Sequence, residues 1–65
     1  MRIVLNGDPR EVGATCLSDL LTELGFGEAK VATAVNEAFV PAAHRDKTQL
    51  NDGDRLEIVA PMQGG

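Results

Sequence analysis

Apolar and polar positions alternate near both ends of this chain and switch to a helical period between them. At the start, Ile3 and Leu5 fall on one face of an extended segment and Arg2 and Val4 on the other, which predicts a strand over residues 1–6. Asn6-Gly7-Asp8-Pro9 follows with strong turn chemistry, Asn-Gly being the strongest short hairpin signal. A second strand, over residues 10–14, is expected to return antiparallel to the first, with Gly13 marking its end. Leu17, Leu20, Leu21 and Leu24 then recur at i, i+3, i+4 and i+7, which makes one apolar helical stripe. Thr15 is placed to cap that helix and Asp19 to favour its positive end. Gly25 suits a left-handed C-terminal cap, with Phe26 folding back on the last turn.

Beyond a Gly-Glu-Ala-Lys connection, Val31-Ala32-Thr33-Ala34-Val35 alternates again and is rich in β-branched residues. Asn36-Glu37 reads as a tight turn into a short strand ending at Phe39-Val40, which Pro41 stops. Residues 42–49 are polar and irregular, with room for one short turn of helix, and Leu50 is an apolar anchor. Asn51-Asp52-Gly53-Asp54 is turn chemistry leading into a last strand, in which Leu56 and Ile58 face the core and Glu57 faces outward. The order hairpin, helix, hairpin, turn, strand gives one amphipathic helix one sheet face to cover, hence a two-layer α+β domain. The other sheet face is left open, with Val4, Val59 and one or two alanines as its apolar residues.

Composition narrows the function. Sixty-five residues make one domain, and with 43% hydrophobic content, two Phe and no Trp or Tyr its core is aliphatic. Such a core is too small to enclose a sizeable substrate pocket as well, which counts against an autonomous enzyme. A net charge of −4 argues against nucleic acid, whose binders cluster Lys and Arg, and suits a basic partner surface. No apolar run reaches the length of a membrane span, and no signal peptide precedes the first strand. A single cysteine forms neither an intramolecular disulfide nor a four-ligand zinc site. The expectation is a reduced, cytoplasmic monomer.

The last strand runs into Pro61-Met62-Gln63-Gly64-Gly65, where pairing is expected to stop. Without Cβ atoms, Gly64 and Gly65 form an end thin enough to thread another protein's active site and place a carboxylate there. A frayed, inert end is the competing reading.

Three stretches resemble the ThiS family, the ubiquitin-like β-grasp sulfur carriers of thiamin thiazole synthesis. They are residues 31–41, where Ala34-Val35-Asn36 leads to Val40-Pro41; the run Leu50-Asn51-Asp52-Gly53-Asp54-Arg55-Leu56-Glu57-Ile58-Val59; and the closing Gln63-Gly64-Gly65. Ile3-Val4-Leu5-Asn6-Gly7 and the length also fit. An arginine right after the proline and a nearby tryptophan, frequent in that family, are replaced by Ala42-Ala43-His44-Arg45 in a chain with no Trp. The small subunit of molybdopterin synthase shares the fold and the Gly-Gly end but is usually longer, with an aromatic-rich first strand. Ubiquitin-like protein modifiers also match the end, usually with a lysine-richer surface. A plain binding module with an inert end is the remaining reading.

The resemblance implies a mixed sheet of four to five strands with one main helix on one face, residues 1–61 forming the β-grasp domain and 62–65 a flexible tail. It implies that a ThiF-type adenylyltransferase uses ATP to adenylate the Gly65 carboxylate, with Gly64 giving access. A cysteine desulfurase or other persulfide donor then supplies sulfur, and the Gly65 thiocarboxylate passes it to a ThiG-type thiazole synthase. The carrier itself supplies no catalytic group and binds no cofactor. Met62, Gln63 and Val59 are the candidate partner contacts.

Other reactive residues have plainer readings. Cys16 stands at the predicted helix start, where the dipole favours a thiolate, yet free cysteines are mostly packing residues. His44 sits alone in a polar loop, and the helix cap region accounts for Ser18, the one serine of the chain. Asp46, Asp52 and Asp54 do not have calcium-loop spacing, and turn chemistry explains the latter two.

Overall fold

The computed structural model describes residues 1–27 and 30–60. Strands β1 (Arg2–Leu5) and β2 (Asp8–Glu11) form the first hairpin, and helix α1 (Leu17–Glu23) follows. Strands β3 (Ala32–Val35) and β4 (Ala38–Val40) form the second hairpin; a 3-10 helix (Ala42–Lys47) and strand β5 (Arg55–Val59) complete the order. The sheet runs β2-β1-β5-β3-β4, with β1 and β5 parallel and the other neighbours antiparallel. A mixed five-stranded sheet with one α-helix on one face, and the last strand inserted between the two hairpins, is the ubiquitin-like β-grasp.

The alternation seen in the sequence decides which face is covered. Ile3 and Leu5 of β1 and Leu56 and Ile58 of β5 point to the helix side and join Leu17, Leu20 and Leu21 in one buried cluster. Fully burying each leucine contributes about 1.5–3 kcal/mol before ordering costs, so α1 is held mainly by this stripe. Leu24, the last residue of the stripe, is half-buried at its edge. Leu50 is buried as the expected anchor.

Both ends of α1 are closed, by different means. At its C-terminus the Phe26 amide donates to the Leu21 carbonyl (2.7 Å) and the Gly25 amide to Thr22 (3.1 Å), the paired bonds of a Schellman cap. Gly25 supplies the required left-handed residue at φ +90°, and Phe26 packs on the core as expected. At the N-terminus the capping residue is Cys16, not Thr15, and no side chain caps the helix. The Leu17 amide donates instead to the carbonyl of Thr48 (2.9 Å), beside a bridge between Cys16 and Gln49. One of the orphan donors of the first turn is thus met by a distant segment rather than by a local side chain.

Two further expectations are corrected. The second strand occupies Asp8–Glu11 rather than residues 10–14, because the turn is only the two-residue Asn6-Gly7, with φ of 49° and 90°. Pro9 is tolerated inside β2 because β2 is an outer strand of the sheet. The stretch after Pro41 is more regular than expected, six residues of 3-10 helix. Arg45 ties that helix down: its Nη2 donates to the Val31 carbonyl (2.6 Å) and its Nε to Thr33 Oγ1 (3.2 Å).

Candidate functional site at the base of the closing segment

Met62, Gln63, Gly64 and Gly65 lie outside the described residues, as does the boundary expected at residue 61. What the structure gives is the platform from which they depart. That platform is β5, the central strand, flanked by β1 on one side and β3 on the other.

Two asparagines grip β5 from the turns of the two hairpins. Along the β1 side, Val4 and Asn6 amides donate to the carbonyls of Asp54 and Leu56, both at 2.9 Å. The backbone then turns away at Gly7, and the Asn6 side chain continues the ladder. Its Nδ2 donates to the Ile58 carbonyl (3.1 Å) and its Oδ1 accepts from the Ile58 amide (2.9 Å). On the β3 side, Asn36 Oδ1 accepts from the Arg55 amide (3.0 Å), while the Asn36 amide donates to the Arg55 carbonyl (2.7 Å). Asn36 Nδ2 also donates to Asp54 Oδ1 (3.0 Å). Both asparagines have positive φ, 49° and 51°, a conformation that Asn adopts more readily than most residues. Sequence reasoning saw them as turn residues only; nothing in an Asn-Gly or Asn-Glu pair tells where the amide points.

Val59 ends β5 on the open face, 62% exposed and paired with Ala32. Phe39 stands on the same face of β4 at 69% exposure, opposite Ala34, and its outward position was not assigned from sequence. Val4 lies on this face as expected, half-buried. Ion pairs rim it, Arg2 with Glu11 (3.1 Å) and Arg55 with Glu37 (3.6 Å), all on exposed side chains.

The other reactive candidates are absorbed by structure. Cys16 is half-buried at the helix start, and His44 is exposed on the 3-10 helix. Asp54 Oδ2 accepts from the Asn51 amide (2.8 Å), which is turn chemistry, whereas Asp52 Oδ1 accepts from the distant Arg2 amide (2.7 Å) and ties the turn to β1. Among the described residues no group of three or more His, Cys, Asp or Glu is placed to hold a metal ion, and no helix is long and apolar enough to cross a membrane. A cleft of about 160 Å³ beside Arg55, lined by Val4, Gly7, Glu37, Leu56 and Glu57, is well below the roughly 300–1,000 Å³ of small-molecule sites.

Comparison with known proteins agrees with this geometry. The chain is 44% identical to the sulfur carrier protein ThiS of Thermus thermophilus over 62 residues, 94% of this chain and 95% of that protein. It is 42% identical over 66 residues to the thiazole synthase of Paramagnetospirillum magneticum, of whose length it spans only 20%. The crystal structure of the thiamine biosynthesis protein ThiS from Geobacter metallireducens superposes over the whole of both chains, with a TM-score of 0.85 and 32% identity. The model of the ThiS family matches residues 3–65, so that sequence, fold and strand order converge: the chain belongs to the ThiS family.

Proposed function

We propose that this protein is the sulfur carrier for the thiazole moiety of thiamin and that it acts through the C-terminal carboxylate of Gly65. The observation that carries the reading is the match to the Thermus sulfur carrier along nearly the whole of that protein. A carboxylate is a poor acyl donor because its leaving group is oxide, so it must first be activated. A ThiF-type adenylyltransferase transfers AMP from ATP to the Gly65 carboxylate, and pyrophosphate leaves. The terminal sulfur of a cysteine persulfide, supplied by a desulfurase, attacks the acyl carbon and AMP departs. A thiol reductant then cleaves the S–S bond, leaving a thiocarboxylate on Gly65 that donates its sulfur to thiazole synthase.

The stretch of the Paramagnetospirillum thiazole synthase that matches this chain supports thiazole synthase as the acceptor, since carrier-like and synthase sequence share one polypeptide there. In this reading the carrier holds no cofactor, and ATP is bound and spent at the partner's site. Gly64 and Gly65 give the closing segment its minimal width, while orientation and charge stabilisation come from the partners. Met62, Gln63 and Val59 meet the partner at the mouth of its channel. The carrier works as a monomer in the reducing cytoplasm, where its one thiol stays free.

Intact mass with C-terminal fragmentation, on protein purified from its own thiamin-starved cells, tests this. Replacement of one Gly65 carboxylate oxygen by sulfur is the expected result. Lysine-linked conjugates would point to a protein modifier instead. An unmodified Gly65 that stays inert with ATP and the cognate activating enzyme would overturn the reading.

A further inference from the structure

Asn6 has no counterpart in the chemistry just described, yet it makes the last β1-side contact of the strand that leads to Gly65. The carbonyls of Asp54, Leu56 and Ile58 accept in turn from Val4 N, Asn6 N and Asn6 Nδ2, so the side-chain amide stands in for the next ladder residue. Because Asn6 Oδ1 also takes the Ile58 amide (2.9 Å), both backbone groups of Ile58 are satisfied by one side chain 52 positions away. Without that amide, β5 beyond Leu56 would be paired on the β3 side only, through Glu57 with Ala34, Ile58 with Thr33 and Val59 with Ala32.

We infer that Asn6 is a positioning residue for delivery of Gly65: its amide clamp on Ile58 holds the β1 side of the end of β5, the strand that leads to Gly65. This rests on the carrier reading above. Each residue that must be ordered inside a partner's channel costs conformational entropy, so a strand held to its end leaves fewer residues to order. If the strand end loosens, the docked carrier holds its carboxylate in place for a smaller fraction of the time. Docking by the rest of the surface is unaffected. Loss of the clamp therefore lowers kcat for adenylation and leaves KM unchanged. A merely structural role behaves differently, because a lower folded fraction raises the apparent KM and leaves kcat alone.

The test uses the full chain with its cognate adenylyltransferase, reading pyrophosphate release, together with amide exchange at Ile58. Asn6→Gly keeps the left-handed turn conformation and removes only the side chain, so the fold is retained. Exchange at Ile58 is expected to accelerate about tenfold and kcat to fall about fivefold to tenfold, the factor that roughly one net hydrogen bond carries. Asn6→Asp keeps the acceptor for the Ile58 amide but loses the donor to its carbonyl, and is expected to fall between. Unchanged Ile58 exchange refutes the clamp, and a rise in KM at constant kcat refutes the positioning role. A wild-type chain inert toward ATP and the enzyme rejects the carrier reading and the positioning role with it, while exchange at Ile58 still reports whether the clamp exists.

Discussion

Arg45 reaches from the 3-10 helix to the hydroxyl of Thr33, 3.2 Å from Nε to Oγ1, and that hydroxyl in turn donates to the Val40 carbonyl at 2.9 Å. Thr33 is 1% exposed and is the one buried polar side chain among the described residues. The pair fastens the loop after Pro41 to the middle of the second hairpin. Replacing the hydroxyl by a methyl takes the side-chain donor from the Val40 carbonyl and leaves Arg45 Nε without its acceptor. Thr33→Val is therefore expected to destabilise by about 1–3 kcal/mol despite the equal shape, and Thr33→Ser by less than Thr33→Val. Urea unfolding midpoints at constant m-value check the order.

The apolar stripe of α1 places Leu17, Leu20 and Leu21 in the buried core. Leu20 is completely buried among Ile3, Leu56 and Ile58 and their neighbours. Leu20→Ala should cost about 2–5 kcal/mol through lost transfer energy and the cavity left behind. That is comparable with the whole stability of a domain this small. Leu20→Asp should leave the chain unfolded, read as loss of ellipticity and of dispersed amide resonances.

Gly25 separates backbone cost from packing cost. A Cβ built there meets nothing within 4 Å, while φ is +90°. Gly25→Ala is thus expected to lose about 1–2 kcal/mol from the left-handed backbone alone. A thermal melt showing no loss would mean the Schellman cap contributes little to α1.

The end on which the proposed chemistry rests should behave oppositely to the core. Gly64→Ala and Gly65→Ala are expected to leave the melting temperature within error of wild type and to reduce adenylation sharply, about tenfold or more, as a small misplacement of reacting atoms does. One residue added after Gly65 should abolish sulfur transfer. Normal transfer by the extended chain would sink the proposed chemistry.

Cys16 is half-buried at the helix start, its own carbonyl taken by the Leu20 amide at 2.9 Å. With a packing role, Cys16→Ser should leave thiocarboxylate formation at wild-type rate and lower stability only slightly, by about 1 kcal/mol. Loss of sulfur loading in a folded Cys16→Ser protein would instead make this thiol part of the relay.

Local pattern was enough to determine much of this protein. The period-two runs at Ile3-Leu5 and Leu56-Ile58 placed the buried face of two strands, and the leucine spacing placed α1. Gly25 and Phe26 announced the helix end, and the proposed chemistry was placed on Gly64-Gly65 from the sequence and the family resemblance. These signals work because each depends on residues a few positions apart. Other features depend on segments brought together only by the fold. The helix N-terminus is met by Thr48 rather than by its neighbour Thr15, and Arg45, a loop cation in sequence, closes onto Thr33 of β3. Phe39 faces outward because Val40 takes the buried position beside it. Asn6 and Asn36 read as turn residues, and so they are; their amides reach β5 only because the sheet inserts that strand between the two hairpins. Periodicity fixes which face a residue belongs to, but the neighbour beside it is chosen by strand order, which pairs Val35 with Leu56 and Val4 with Arg55 across long stretches of chain.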